Sequence, residues 1–203
     1  MSTVVLLHAD ANVGLSLAAT IAAAAGLTML ATLTSVSEAC ATLARNKPDL
    51  VIADLLKPGG NLHTLLHGLR AGHGHDRPQL LVLSASVDDP RLMEAMRHGA
   101  DGYFAPGRPA VLIGAIEQLL RGESTMTPQI ARELIKHFDA ATTSLRLNDA
   151  DRRLLQWTAE GYLVGEVARG LQVSPNVVGL RMRHIYRKLQ FDVRAQRLGL
   201  MAA

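Results

Sequence analysis

Pro48-Asp49-Leu50-Val51-Ile52-Ala53-Asp54 is the stretch that decides the fold. The apolar run Leu50–Ala53 reads as a buried strand, and an acid, Asp54, stands at its end. Four runs of the same kind lie around it: Val4–Leu7, Thr28–Leu33, Leu80–Leu83 and Gly102–Ala105. Between them, segments beginning near Asn12, Val36, Asn61, Asp89 and Pro109 read as helices. Ser35 or Ser37 before Glu38, and Asp88-Asp89-Pro90, supply helix-start signals. Five strands alternating with five helices predict a parallel α/β sheet covered by helices on both faces. In such sheets the working groups gather at the carboxyl ends of the strands.

The 203 residues exceed one domain of ordinary size. Apolar residues make up 48% and charged residues 19%, as in globular domains with true cores. Aromatics are only 3%, so Ala, Leu, Val and Ile must build those cores. The single cysteine, Cys40, excludes an intrachain disulfide and Cys-based zinc motifs, and a cytoplasmic setting is expected. Ala11–Ser37 carries no charge, yet it is rich in Ala, Thr and Ser and is interrupted by Gly26. It reads as a buried helix and strand rather than a membrane segment, and Met1–Asp10 has no basic residues for a signal peptide. From Leu145 onward there are 10 Lys+Arg against 5 Asp+Glu, whereas the residues before carry 11 against 13. A basic module on a near-neutral remainder points to a polyanion partner.

That basic module reads as all helix: Asp149–Glu160, Leu163–Gly170, Pro175–Leu189 and Val193–Met201. Asn148 caps the first, Gly161 stops it, and Trp157 belongs to its apolar pattern. Ser174 caps the third, with Pro175 at its first position. Along that helix Val178, Met182, Ile185 and Leu189 form one apolar face, while Arg181, Arg183, His184, Arg187 and Lys188 lie mostly away from it. A helix buried on one side and cationic on the other is suited to a major groove. The matching residues Leu147, Leu154-Leu155, Ala159-Glu160-Gly161, Val167-Ala168, Leu171, Val173-Ser174, Val177-Val178 and Ile185–Leu189 resemble the LuxR/NarL helix-turn-helix. The resemblance implies a four-helix domain that binds double-stranded promoter DNA as a homodimer. It puts Ser174, Asn176, Gly179, Leu180, Arg181, Arg183, Arg187 and Lys188 at the DNA. Two places depart from that family: Gly179 stands where Lys or Arg is common, and Val164-Gly165 replaces a polar pair that touches phosphates.

The strand-end residues of the first part resemble a response-regulator receiver over about Val4–Glu123. Asp10, Pro48-Asp49, Asp54, Pro58-Gly59, Leu83-Ser84-Ala85 and Gly99-Ala100-Asp101-Gly102-Tyr103 carry that resemblance. It implies a flavodoxin-like domain in which Asp54 accepts a phosphoryl group from a sensor histidine kinase, with Ser84 and Tyr103 as switch residues. Mg²⁺ would be held by Asp10, Asp54 and the backbone carbonyl of Leu56. The set is damaged, because His8-Ala9-Asp10 stands where two adjacent acids are usual. Asp10 is expected at the second acid position and Ala9 at the first. The position of the usual Lys falls on Pro106, with Arg108 the nearest cation. An atypical receiver with weak Mg²⁺ binding and phosphorylation-independent control is therefore expected, against conventional activation at Asp54.

The expected division is a receiver over residues 1–123, a linker with a helix over 124–144, and the DNA-binding domain over 145–203. His63, His67, His73 and His75 read as surface histidines rather than a metal site. Nothing resembles a catalytic triad, a phosphate-binding glycine loop or paired catalytic carboxylates, so no enzyme is expected. The rival reading is a module that sequesters a partner protein without touching DNA.

Overall fold

The computed structural model describes residues 1–55, 77–86, 89–105, 109–140 and 146–198. The helix expected near Asn61, the four histidines from His63 to His75, and Leu56, Pro106 and Arg108 lie outside the described residues.

The expected strands are β1 (Ser2–Leu7), β2 (Leu27–Leu33), β3 (Leu50–Asp54), β4 (Gln79–Leu83) and β5 (Gly102–Phe104). All neighbours pair in parallel, in the order β2-β1-β3-β4-β5. Chain direction across the sheet reverses between β1 and β3, which opens a crevice at their carboxyl ends. Alternation along each strand divides the core. Leu50, Ile52, Leu81 and Leu83 face one layer with Ile21, Leu112 and Ile116, while Val51, Ala53, Leu80 and Val82 face the other.

The helices are α1 (Ala11–Ala22), α2 (Val36–Arg45), α3 (Pro90–His98), α4 (Pro109–Leu120), α5 (Pro128–Asp139), α6 (Asp149–Glu160), α7 (Val164–Leu171) and α8 (Pro175–Arg197). Their starts follow the sequence signals. Ser35 caps α2 at Glu38 N, Asp89 caps α3 ahead of Pro90, and Asn148 caps α6 through a 2.7 Å bond from Asp151 N. Gly161 ends α6 with φ at 95°, a conformation open to glycine without steric cost.

The helix expected within the linker over 124–144 is α5, which buries Ile130, Ala131, Leu134 and Phe138 and packs along α6. The spacing of those four residues gives α5 a full apolar stripe. One element differs from expectation: the helix expected over Val193–Met201 is continuous with the one before it. Gln190-Phe191-Asp192-Val193 contains no glycine or proline to break α8, which runs for 23 residues. The helical half is thus α5, α6, α7 and α8.

No helix among the described residues is long and apolar enough to cross a membrane. Trp157 packs against the core as the sequence pattern implies, and Gly170 is what admits it. A Cβ at Gly170 would lie 2.6 Å from the indole. Gly170→Ala should therefore lower stability: overpacking costs roughly 1–3 kcal/mol, against ~1 kcal/mol gained in helix propensity. Urea unfolding followed by the fluorescence of Trp157 checks this, with a lower midpoint expected.

Candidate functional site

Asp54 ends β3 in the crevice, with its side chain almost fully buried. The residue that faces it from β1 is His8, whose Nε2 lies 3.7 Å from Asp54 Oδ2. His8 Nδ1 lies 2.9 Å from Asp10 O and 3.0 Å from Asp10 N, contacts that hold the ring with Nε2 toward Asp54. Asp10, expected as a metal-binding acid, stands at the start of α1. Its Oδ1 accepts Asn12 N at 2.8 Å and Val13 N at 3.1 Å and so caps α1.

A cation comes from α3. Arg91 donates to Asp89 at 2.7 and 2.9 Å and reaches Leu55 O at 3.3 Å. The Arg91 guanidinium holds the Asp89 carboxyl below the ordinary carboxylate value. Hydrogen bonding to Asp89, together with the charges of Asp89 and Asp54, holds Arg91 above its own. Sequence reading gave Asp89 its capping role but missed Arg91; the signal available was an arginine directly after Asp89-Pro90. Ser84, at the end of β4, donates to Ser86 O at 2.9 Å and Asp89 Oδ2 at 3.2 Å. Among the described residues, the His8 imidazole beside the Asp54 carboxylate is a pair poorer in oxygen than the octahedral shell that Mg²⁺ prefers. No cluster of three or more candidate metal ligands occurs among the described residues.

Tyr103 points toward the helical half, where its hydroxyl meets Thr125; burial pushes its pKa from 10.0 up to about 12. Tyr186 of α8 is fully buried beside it and donates to Thr125 O at 2.8 Å. Burial also pushes the Tyr186 phenol up.

The eight DNA candidates do not share one open face. Val178, Met182, Ile185 and Leu189 pack within the helical half, while Gly179, Arg183, Tyr186 and Gln190 lie against the receiver half. Gly179 O accepts Ser124 N at 3.0 Å. A Cβ at Gly179 would stand 2.9 Å from the Cβ of Glu123. Arg183, only 8% exposed, donates to Leu119 O at 3.2 Å and lies 3.8 Å from Asp101. Desolvation holds its pKa below the ordinary guanidinium value. Gln190 donates to Met96 O and Ala100 O, carbonyls at the end of α3. Arg181 and Lys188 flank the buried Asp151 at 3.6 and 3.0 Å. Ser174, Asn176, Leu180 and Arg187 are exposed, and Ser174 caps α8.

No family model matches the chain. The nitrate/nitrite response regulator NarL of Escherichia coli strain K12 is 29% identical over 157 residues, covering 73% of this chain and 71% of that protein. The oxygen regulatory protein NreC of Staphylococcus carnosus is 28% identical over 162 residues, covering 75% and 74%. A LuxR-family two-component response regulator from Aurantimonas superposes with a TM-score of 0.58 at 27% identity, over 68% of this chain and 97% of that one. In sequence and in fold, the chain is similar to response regulators of the NarL type. The fold likeness extends to both halves. The response regulator RcsB in its DNA complex superposes with a TM-score of 0.57 at 20% identity, over 93% of this chain and 92% of that one.

The docked tyrosines give this chain an alkaline signature. Tyr103 is favoured neutral in the fold, so its contribution is complete below pH 10 and is lost as pH climbs toward about 12. Tyrosinate absorbance should rise late in the parent chain. In Gly179→Lys, whose side chain cannot fit against Glu123, it should rise earlier.

Proposed function

We propose that the chain is a non-enzymatic, DNA-binding transcription regulator whose receiver controls access to α8 without Mg²⁺-dependent phosphorylation of Asp54. The observation that carries the reading is the double use of α8. One helix bears Arg181, Arg183, Arg187 and Lys188, and one of its faces is covered by the receiver half. A major groove needs the face that holds Gly179 and Arg183, so DNA binding requires the halves to part. RcsB, alike in fold, is described as dimers bound to DNA, and we extend to this chain binding of promoter DNA as a homodimer.

Control by other means than metal-assisted phosphorylation is supported by the His8–Asp54 contact, by the use of Asp10 as a helix cap, and by Arg91 at the crevice. A phosphoryl group needs Mg²⁺ and a cation placed at its oxygens, and carboxylates must hold that metal. Here the first strand supplies an imidazole instead. A sensor histidine kinase that docks on such a receiver acts through protein contact rather than through phosphoryl transfer.

Two experiments test the two parts. Arg181→Ala combined with Arg183→Ala should abolish specific duplex binding in gel shift while the far-UV spectrum is retained; unchanged affinity counts against the DNA assignment. With acetyl phosphate and Mg²⁺ the parent chain should take up no stoichiometric label. Full labelling that disappears in Asp54→Asn overturns the proposed control.

A further inference from the structure

One face of α8 is left open by both halves of the chain. Leu180, His184, Arg187, Phe191, Arg194 and Leu198 follow one another at intervals of four and three residues, so they share the side opposite the buried Met182 and Leu189. All six are exposed while α8 is docked. Phe191 is 63% exposed and Leu198 60%, whereas Phe104 and Phe138, the chain's other phenylalanines, are drawn into the cores. Arg187 and Arg194 lie on the same face, and neither makes an ion pair among the described residues. α8 offers no acid of its own to offset them. Its one acid, Asp192, is fully buried and accepts His137 Nε2 at 2.8 Å.

We propose that this end of α8 docks an acidic amphipathic helix of another protein, whose apolar side chains cover Phe191 and Leu198 and whose carboxylates meet Arg187 and Arg194. Phe191 and Leu198 are one heptad apart, roughly 10 Å along the axis, the spacing at which a partner helix presents its own i and i+7 residues. Aromatic residues and arginine are the types that gain most from burial against a partner, and a guanidinium forks onto a carboxylate. The charges choose among occupants. A second copy laid antiparallel on the same stripe would bring Arg194 against Arg194, with no acid on the face to separate them. A lipid surface takes apolar side chains in at depth, yet Arg194 lies between Phe191 and Leu198 rather than at the edge of the stripe. A nucleic acid would pair with the arginines and leave Leu198 in water. A helix with acids beside its apolar residues satisfies all four side chains. The stripe is not the face that holds Gly179 and Arg183, so it stays open whether or not the halves part. Arg187 alone belongs also to the DNA set, and the inference does not otherwise rest on that reading.

The test uses the full chain and a fluorescein-labelled, alanine-based helical peptide with two leucines a heptad apart and glutamates beside them. Fluorescence anisotropy should show saturable one-to-one binding. Phe191→Ala with Leu198→Ala should weaken it by about tenfold or more, and so should Arg187→Glu with Arg194→Glu. All four positions are exposed, so far-UV spectra and urea midpoints should stay close to the parent's. The charge-reversed variant should regain affinity for a peptide with lysines in place of the glutamates, a rescue that damage to the fold cannot produce. Absence of saturable binding by the parent chain, affinity unchanged in either variant, or failure of the rescue overturns the proposal. Three outcomes overturn it by naming another occupant. They are a dimer in sedimentation that Phe191→Ala with Leu198→Ala dissociates, phosphatidylserine vesicles held by the parent chain and released by that variant, and an oligonucleotide whose affinity falls in it.

Discussion

The arrangement of the two halves depends on the buried carboxylate of Asp101. It accepts both arms of Arg77 at 2.8 and 2.9 Å and the Leu80 N–H at 2.9 Å, all from the receiver half. Arg183 of α8 lies 3.8 Å away, and the backbone oxygen of Asp101 accepts the Ser124 hydroxyl. The two cations are not equivalent. Arg77 forks onto the carboxylate with short bonds, so Asp101 stays paired when α8 departs. Arg183 is desolvated, and its Nε has no hydrogen-bond partner among the described residues. On leaving, it regains water, which offsets part of what the docked contacts contribute. The cost of burial at this interface falls on the α8 side.

The same asymmetry explains Gly179. Read in sequence, it is a missing phosphate contact. Read in space, it is where the backbone of α8 approaches Glu123 too closely for any side chain, which lets Gly179 O accept Ser124 N. A lysine there would add a cation for phosphate and would hold the two halves apart. The chain has traded one charge contact on α8 for a tighter docked form.

At the sheet end, Asp54 lies beside the His8 imidazole and within the field of Arg91. Ser84 and Asp89 link that crevice to the start of α3, and Gln190 binds the last carbonyls of the same helix. α3 therefore touches the crevice at one end and α8 at the other. An input that moves α3 acts on both.

Sequence alone determined the elements and their kinds. Apolar runs without breakers made five strands, capping residues such as Ser35, Asp89, Asn148 and Ser174 set helix starts, and the stripe Val178–Leu189 made α8 amphipathic. These are local effects, carried by neighbours three or four residues apart. Sequence also placed Asp54 and Ser84 at strand ends and singled out the basic helix. What it missed were matters of competition between partners far apart in the chain. Asp10 caps α1 through Oδ1, and His8 meets Asp54 across the sheet end. Arg183 and Gly179 looked like surface residues because their burying partners, Asp101 and Glu123, are about 80 and 56 positions distant. Only the tertiary structure decided which face of α8 is covered, because burial of a charged or absent side chain depends on what packs over it.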